Sequence, residues 1–212
     1  DALDNVAVSV GLMGNYQPNL EFDAIWYGLS ANTTVLQYRN STAREGIAFN
    51  LDGNLNKRLT TKTTAHAGVR YRDFIFYGKS GDAKSRDAAF DTASSEVYFS
   101  IEHELVPAVF LFAEYGYIHG RLTSSVSGMP GSLLESEAIT ADDAFDDCLS
   151  GLGCNSRLAY RIVSDARHVD LGVAFNLYDI NVDLSASHFV AQGNSGQRYK
   201  DTVVSLGFVW GF

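Results

Sequence analysis

The chain has 212 residues, 19% of them charged, with a formal net charge of -9, 3 prolines and 2 cysteines. That length suits one domain, and an acidic balance without any lysine or arginine cluster argues against nucleic acid as a partner. The apolar run Val106 to Ala113 falls far short of the roughly 20 residues that a membrane-spanning helix needs.

In chain order, a period of two dominates, which is the repeat of a β-strand. Val6, Val8, Val10 and Leu12 alternate with small residues in a first predicted strand that ends before Pro18-Asn19. A second runs through Ile25, Tyr27 and Leu29 to a turn at Ser30-Ala31-Asn32, and a third through Thr34, Leu36 and Tyr38. The fourth sets Ile47, Phe49, Leu51 and Leu55 against Ala48, Asn50, Asp52, Asn54 and Asn56; so many amides on one face would be wasteful in a dry core. The fifth sets Ala65, Ala67, Val69 and Tyr71 against His66, Gly68, Arg70 and Arg72, and runs into the aromatic stretch Phe74 to Tyr77.

Past a loop over 78–90, the sixth strand faces Ser95, Val97, Phe99 and Ile101 one way, and Glu96, Tyr98, Ser100, Glu102 and Glu104 the other. Val106-Pro107 makes a tight turn, and the seventh strand presents Leu111, Ala113, Tyr115 and Tyr117 opposite Phe110, Phe112, Glu114 and Gly116. Residues 120–165 read as a long loop. The eighth strand resumes by Val169 with Asp170 on its polar face, the ninth holds Ile180 to Ser187 with Asp183 on that face, and the tenth closes the chain. Short turns near Ser30, Leu59, Pro107 and Tyr178 alternate with longer connections near Lys79, Ser125 and Gly193. Ten strands, an even number, would place both termini at the short-turn rim.

The last strand puts Val204, Leu206, Phe208, Trp210 and Phe212 on one face, with small or lightly apolar residues between them. This stretch resembles the C-terminal signature strand of Gram-negative outer-membrane β-barrels, the segment their insertion machinery reads. The resemblance implies a single antiparallel transmembrane up-and-down barrel of about ten strands (8–12), with short periplasmic turns, longer extracellular loops and the first strand paired to the last. It also implies the cell outer membrane as location, with its lipid and lipopolysaccharide and the insertion machinery as partners. The start D-A-L-D-N, entering a strand at once, is expected of an exported protein whose leader has been removed.

Four sets of residues are candidates for function. A barrel so oriented turns Arg39, Arg44, His66, Arg70 and Arg72 into its lumen from one side, and Glu96, Glu102, Glu104, Glu114, Asp170 and Asp183 from the other, with Asp52 between. Arg70 and Glu96 fall at similar heights and are expected to pair. Such a lumen is either a narrow polar pathway or gate, or a plug, since side chains can fill a barrel of this size. Glu135, Glu137, Asp142, Asp143, Asp146 and Asp147 make an acidic run that would attract divalent cations and so bridge to lipopolysaccharide phosphates, although its spacing is not that of an EF-hand and a solvated acidic loop accounts for it as well. Cys148 and Cys154 either close a small disulfide loop in an oxidising compartment or stay as thiols. His119, His168 and His188, near strand ends, are the histidines from which a hydrolase would take its base, with Asp165, Asp170 and Ser187 as neighbours. No cofactor is expected. The leading expectation is a non-enzymatic barrel acting as a small channel for polar solutes or as a surface interaction protein; the alternatives are a surface protease or lipid acyl hydrolase, and a docking subunit for an unidentified envelope protein.

Overall fold

The computed structural model describes residues 5–38, 45–76, 89–127, 138–141, 147–149, 153–155, 157–177, 180–194, 196 and 198–210. The described residues are nearly all β, and among them no helix is long and apolar enough to cross a membrane. The strands are β1 (Asn5–Tyr16), β2 (Ile25–Tyr38), β3 (Gly46–Thr60), β4 (Thr63–Phe76), β5 (Thr92–Val106), β6 (Val109–Ser127), three short strands β7 (Ala138–Ala141), β8 (Asp147–Leu149) and β9 (Gly153–Asn155), then β10 (Arg157–Leu177), β11 (Ile180–Gly193) and β12 (Arg198–Trp210). Nine form one up-and-down antiparallel sheet in the order β1-β2-β3-β4-β5-β6-β10-β11-β12; β7 pairs with β10 off that path, and β8 and β9 form a separate hairpin.

The alternation seen in the sequence sets the two faces. Along β3, Ile47, Phe49, Leu51 and Leu55 are exposed on the outer face, while Ala48, Asn50, Asp52, Asn54 and Asn56 are covered on the inner one. On β5, Val97 and Phe99 point out, and Glu96 and Tyr98 are buried at 3% and 6% exposure on the inner side. The described sheet therefore buries a largely polar face and exposes an apolar one, the reverse of a water-soluble sandwich.

Strand by strand, the sheet departs from the expected layout in four ways, though nine strands lie within the expected 8–12. The second and third predicted strands are one, β2: Ser30, Ala31 and Asn32 form no turn but pair with Asp52, Leu51 and Asn50 of β3. Ladders on both sides of β2 override the local turn preference of a Ser-Ala-Asn stretch. The predicted loop 120–165 is shorter, because β6 continues to Ser127 and β10 begins at Arg157, paired residue for residue. An odd number of strands puts the start of β1 and the end of β12 at opposite rims, not at the same one. Finally, among the described residues β1 pairs with β2 and β12 with β11, and no ladder joins β1 to β12. All twelve residues of β1 are exposed, on both faces, as befits an open edge.

The described tight turns lie at one rim, at Thr61-Lys62 and Pro107-Ala108. Ala108 takes the left-handed conformation at φ 67°, which fits the third position of a turn with proline at the second. The long connections between β4 and β5 and between β6 and β10 leave from the opposite rim. There Phe76, Phe90 and Ala159 form a small apolar cluster joined by Phe74, and the Tyr160 and Tyr199 hydroxyls meet at 2.5 Å.

Candidate functional site

At mid-height on the inner face, Arg70 of β4 is the hub of a charged network. Its Nε donates to Asp52 Oδ2 at 2.9 Å; Nη1 and Nη2 donate to Glu114 Oε1 and Oε2 at 2.6 and 3.1 Å; Nη1 also reaches Glu96 Oε1 at 3.2 Å. The paired donors on Glu114 are the fork-to-fork arrangement that a guanidinium makes and an ammonium cannot. Below the guanidinium lies the Tyr98 ring, with its centroid 3.7 Å from Cζ, and the Tyr98 hydroxyl donates to Asp52 Oδ1 at 3.2 Å. Four strands thus converge on one cation.

Glu96 links this hub to β10. His168 Nε2 stands 2.7 Å from Glu96 Oε1, and its Nδ1 stands 2.8 Å from Asp170 Oδ2, so the imidazole bridges two carboxylates. Arg72 Nη2 lies 3.2 Å from Glu96 Oε2, yet that oxygen is buried without a hydrogen bond. The Arg72 contact is therefore one of charge, poorly aligned for hydrogen bonding. On the other flank, Asn54 donates to Asp52 at 2.8 Å, Asn56 donates to Asn54 at 2.7 Å, and His66 Nδ1 contacts Asn56 Oδ1.

Two inner-face glycines make room for these side chains. A Cβ on Gly68 would come within 2.6 Å of the Tyr98 ring, and one on Gly116 would overlap His168 Nε2 and approach Glu96 Oε1 to 2.7 Å. Each glycine is the cross-strand partner of the residue it admits, Gly68 opposite Tyr98 and Gly116 opposite His168. Polar recesses open on either side of the hub. One of about 350 Å³, toward the tight-turn rim, is lined by His66, Glu102, Glu114, Asp170, Ser185 and Ser187 among others. The other, of about 280 Å³, is lined by Ser30, Asn32, Asn50, Asp52, Arg70 and Arg72 among others.

Of the expected inner-face charges, Asp52, Arg70, Arg72, Glu96, Glu114 and Asp170 come together here. His66 and Glu102 line the lower recess, Glu104 sits near the tight-turn rim and Asp183 lies farther along the face on β11. Arg39 and Arg44 lie outside the described residues. The expected pairing of Arg70 with Glu96 is present, and the two are direct register partners. Glu96, Glu114 and His168 hold ligand atoms within 4.8 Å of one another, close enough for one metal ion, but Arg70 already supplies positive charge to both carboxylates.

The three histidines separate. His168 belongs to the inner network. His188 is exposed on the outer face, with Nδ1 2.9 Å from Thr202 Oγ1, while Ser187 lines the lower inner recess. His119 is also on the outer face, 2.8 Å from Asp165. Cys148 and Cys154 are direct backbone partners in the β8–β9 hairpin, and Asp147 begins that hairpin; Glu135, Glu137, Asp142, Asp143 and Asp146 lie outside the described residues. Val204, Leu206 and Phe208 are 60% to 70% exposed on β12, Trp210 ends that strand, and Phe212 lies outside the described residues. The roles of Tyr98, Gly68 and Gly116 were missed from sequence; the available signal was a glycine at an inward position of a strand otherwise filled by long polar side chains. No protein-family model matches the chain, and no curated protein matches it.

Proposed function

We propose that the chain is a transmembrane β-barrel protein of a Gram-negative outer membrane that passes small polar solutes along its inner face, with the Arg70 network as the constriction. The observation that carries this reading is the network itself, spanning β3 to β10 between two polar recesses. A plug that only filled space would have no need of charged groups whose desolvation is costly. Support for the membrane comes from the exposed apolar outer face and from strands of 12 to 21 residues in the main sheet, longer than the roughly 9–11 needed to span. Outer-membrane lipid and lipopolysaccharide then cover the outer face, and the insertion machinery reads the terminal strand. In the segment between β6 and β10, the opposed cysteines are bonded on this reading, closing a hairpin suited to contact with an envelope protein.

In hydrocarbon the edges of β1 and β12 must be covered. The two strands run in the same direction, so closing them directly on each other makes a parallel ladder, whereas an antiparallel closure takes one further strand.

Bilayer conductance tests the proposal. The hub sets four carboxylates, Asp52, Glu96, Glu114 and Asp170, against two guanidinium groups, Arg70 and Arg72. The expected result is a small cation-selective conductance that rises in Arg70→Ala, where the constriction is widened. Silence from both proteins at every voltage contradicts it.

A further inference from the structure

The outer face carries a polar row that the inner network does not explain. Register sets Ser95 of β5 directly opposite His119 of β6, and His119 directly opposite Asp165 of β10. All three are exposed, alternating with inward neighbours. Three adjacent strands thus deliver a hydroxyl, an imidazole and a carboxylate in line.

The base and its orienting group are already joined. His119 Nδ1 lies 2.8 Å from Asp165 Oδ1; a carboxylate only accepts, so Nδ1 carries the hydrogen, and in the neutral ring Nε2 keeps its lone pair. The Tyr117 hydroxyl donates to the same oxygen at 2.6 Å, which fixes the carboxylate from a second side. Ser95 and His119 make no direct hydrogen bond in the resting arrangement; as cross-strand partners, with Cβ atoms about 4.5–5.5 Å apart, they need only a rotation of the serine side chain to meet. Beside the row lies a groove of about 300 Å³ lined by Tyr71, Ser95, His119, Arg121 and Val163 among others. Toward the tight-turn rim the outer face turns apolar, through Val69, Val97, Phe99 and Tyr115, with Arg167 beside Tyr117.

We propose that Ser95, His119 and Asp165 form a serine esterase site on the outside of the sheet, acting on carboxylic esters of anionic amphiphiles. The acyl chain would lie along the apolar stripe, and the headgroup near Arg121 and Arg167. The triad stands on strand register; only the choice of a lipid ester rests on the membrane reading. In the first step Ser95 Oγ bonds to the ester carbonyl carbon while His119 Nε2 takes its proton, and Asp165 stabilises the imidazolium. The tetrahedral intermediate then breaks its alkoxy C–O bond, and the imidazolium proton leaves with the alcohol. Water attacks the acyl-serine by the same proton route, releasing the carboxylic acid and restoring Ser95. The positive charge of Arg121, two residues beyond His119 on the same face, favours the developing oxyanion.

The test uses the full chain folded in detergent micelles, with p-nitrophenyl butyrate, phosphatidylglycerol mixed micelles and a serine-directed fluorophosphonate probe. The expected results are turnover of both esters, probe mapped to Ser95, and a loss of at least ~100-fold in Ser95→Ala and His119→Ala. Asp165→Asn should slow turnover at least ~10-fold, by leaving the imidazole in the wrong tautomer. His188→Ala, an outward histidine outside the row, should match the parent. Gel mobility without boiling reports folding of each variant, and Ser95→Thr serves if the alanine variant misfolds. A folded parent with neither turnover nor labelling overturns the triad, as does labelling that persists in Ser95→Ala. Turnover of the short ester alone overturns the lipid substrate and leaves the triad in place; if mobility also ignores boiling, the membrane reading falls separately.

Discussion

Arg70 is the residue on which the inner face depends most. It bonds three carboxylates and stacks on one ring, so its removal strands Asp52 and Glu114 and leaves Glu96 only Arg72 and His168. Breaking a buried pair on one side costs about 3–5 kcal/mol, much of it the penalty of the stranded charge. Arg70→Ala should therefore lower unfolding free energy by about that much in a urea titration, whereas Glu102→Ala, on an exposed side chain of the lower recess, should change it little. Arg70→Lys should recover only part of the loss, because an ammonium lacks the two-point contact with Glu114 and the flat face that covers Tyr98. The Arg70–Glu96 pair was legible in the sequence, since parity and hairpin pairing set both at one height on one face. Glu114 as a further partner of the same cation was not, because β6 reaches Arg70 only across β5; Asp52 stands directly opposite Arg70 on β3, by the same kind of hairpin pairing.

At the scale of the strand, inward glycines set how closely side chains from neighbouring strands overlap. The His168 ring that a Cβ on Gly116 would meet is held at both nitrogens by Glu96 and Asp170 and has little freedom to move aside. Gly116→Ala should destabilise by about 1–3 kcal/mol, while Gly14→Ala, with open space around its Cα, should be close to neutral when both are measured by the same denaturation. Strands whose two faces differ in polarity, such as β3, β4 and β5, were readable to within about four residues, the largest miss being the end of β3, which runs past Asn56 to Thr60. The outer halves of β6 and β10 were not, because around Thr123 to Ser127 polar residues stand at both parities and the hydrophobic repeat vanishes. The outer half of β10 is instead covered on both parities, with Ala159 and Tyr160 both buried, so packing there imposes no two-residue repeat. The row from Ser95 through His119 to Asp165 was hidden for a different reason: His119 and Asp165 are 46 residues apart, and only their ladder brings them together.

For the whole molecule, one inversion accounts for most of what is observed: polar groups covered inside, apolar groups bare outside. Leu12, Val69, Val97 and Val204 are each more than half exposed, spread from one edge of the sheet to the other, a surface that water would penalise and hydrocarbon would not. The same inversion explains why mean hydropathy is close to zero, at -0.06, for a chain proposed to lie in a membrane, since inner and outer faces cancel in any average. The most direct test of the proposed barrel is migration in a denaturing gel with and without boiling, after folding into detergent or outer-membrane lipid. A closed barrel resists unfolding by the detergent, so the unboiled protein should run ahead of its 23.1 kDa boiled form. Identical mobility in both lanes, from a sample rich in β structure, would contradict the account.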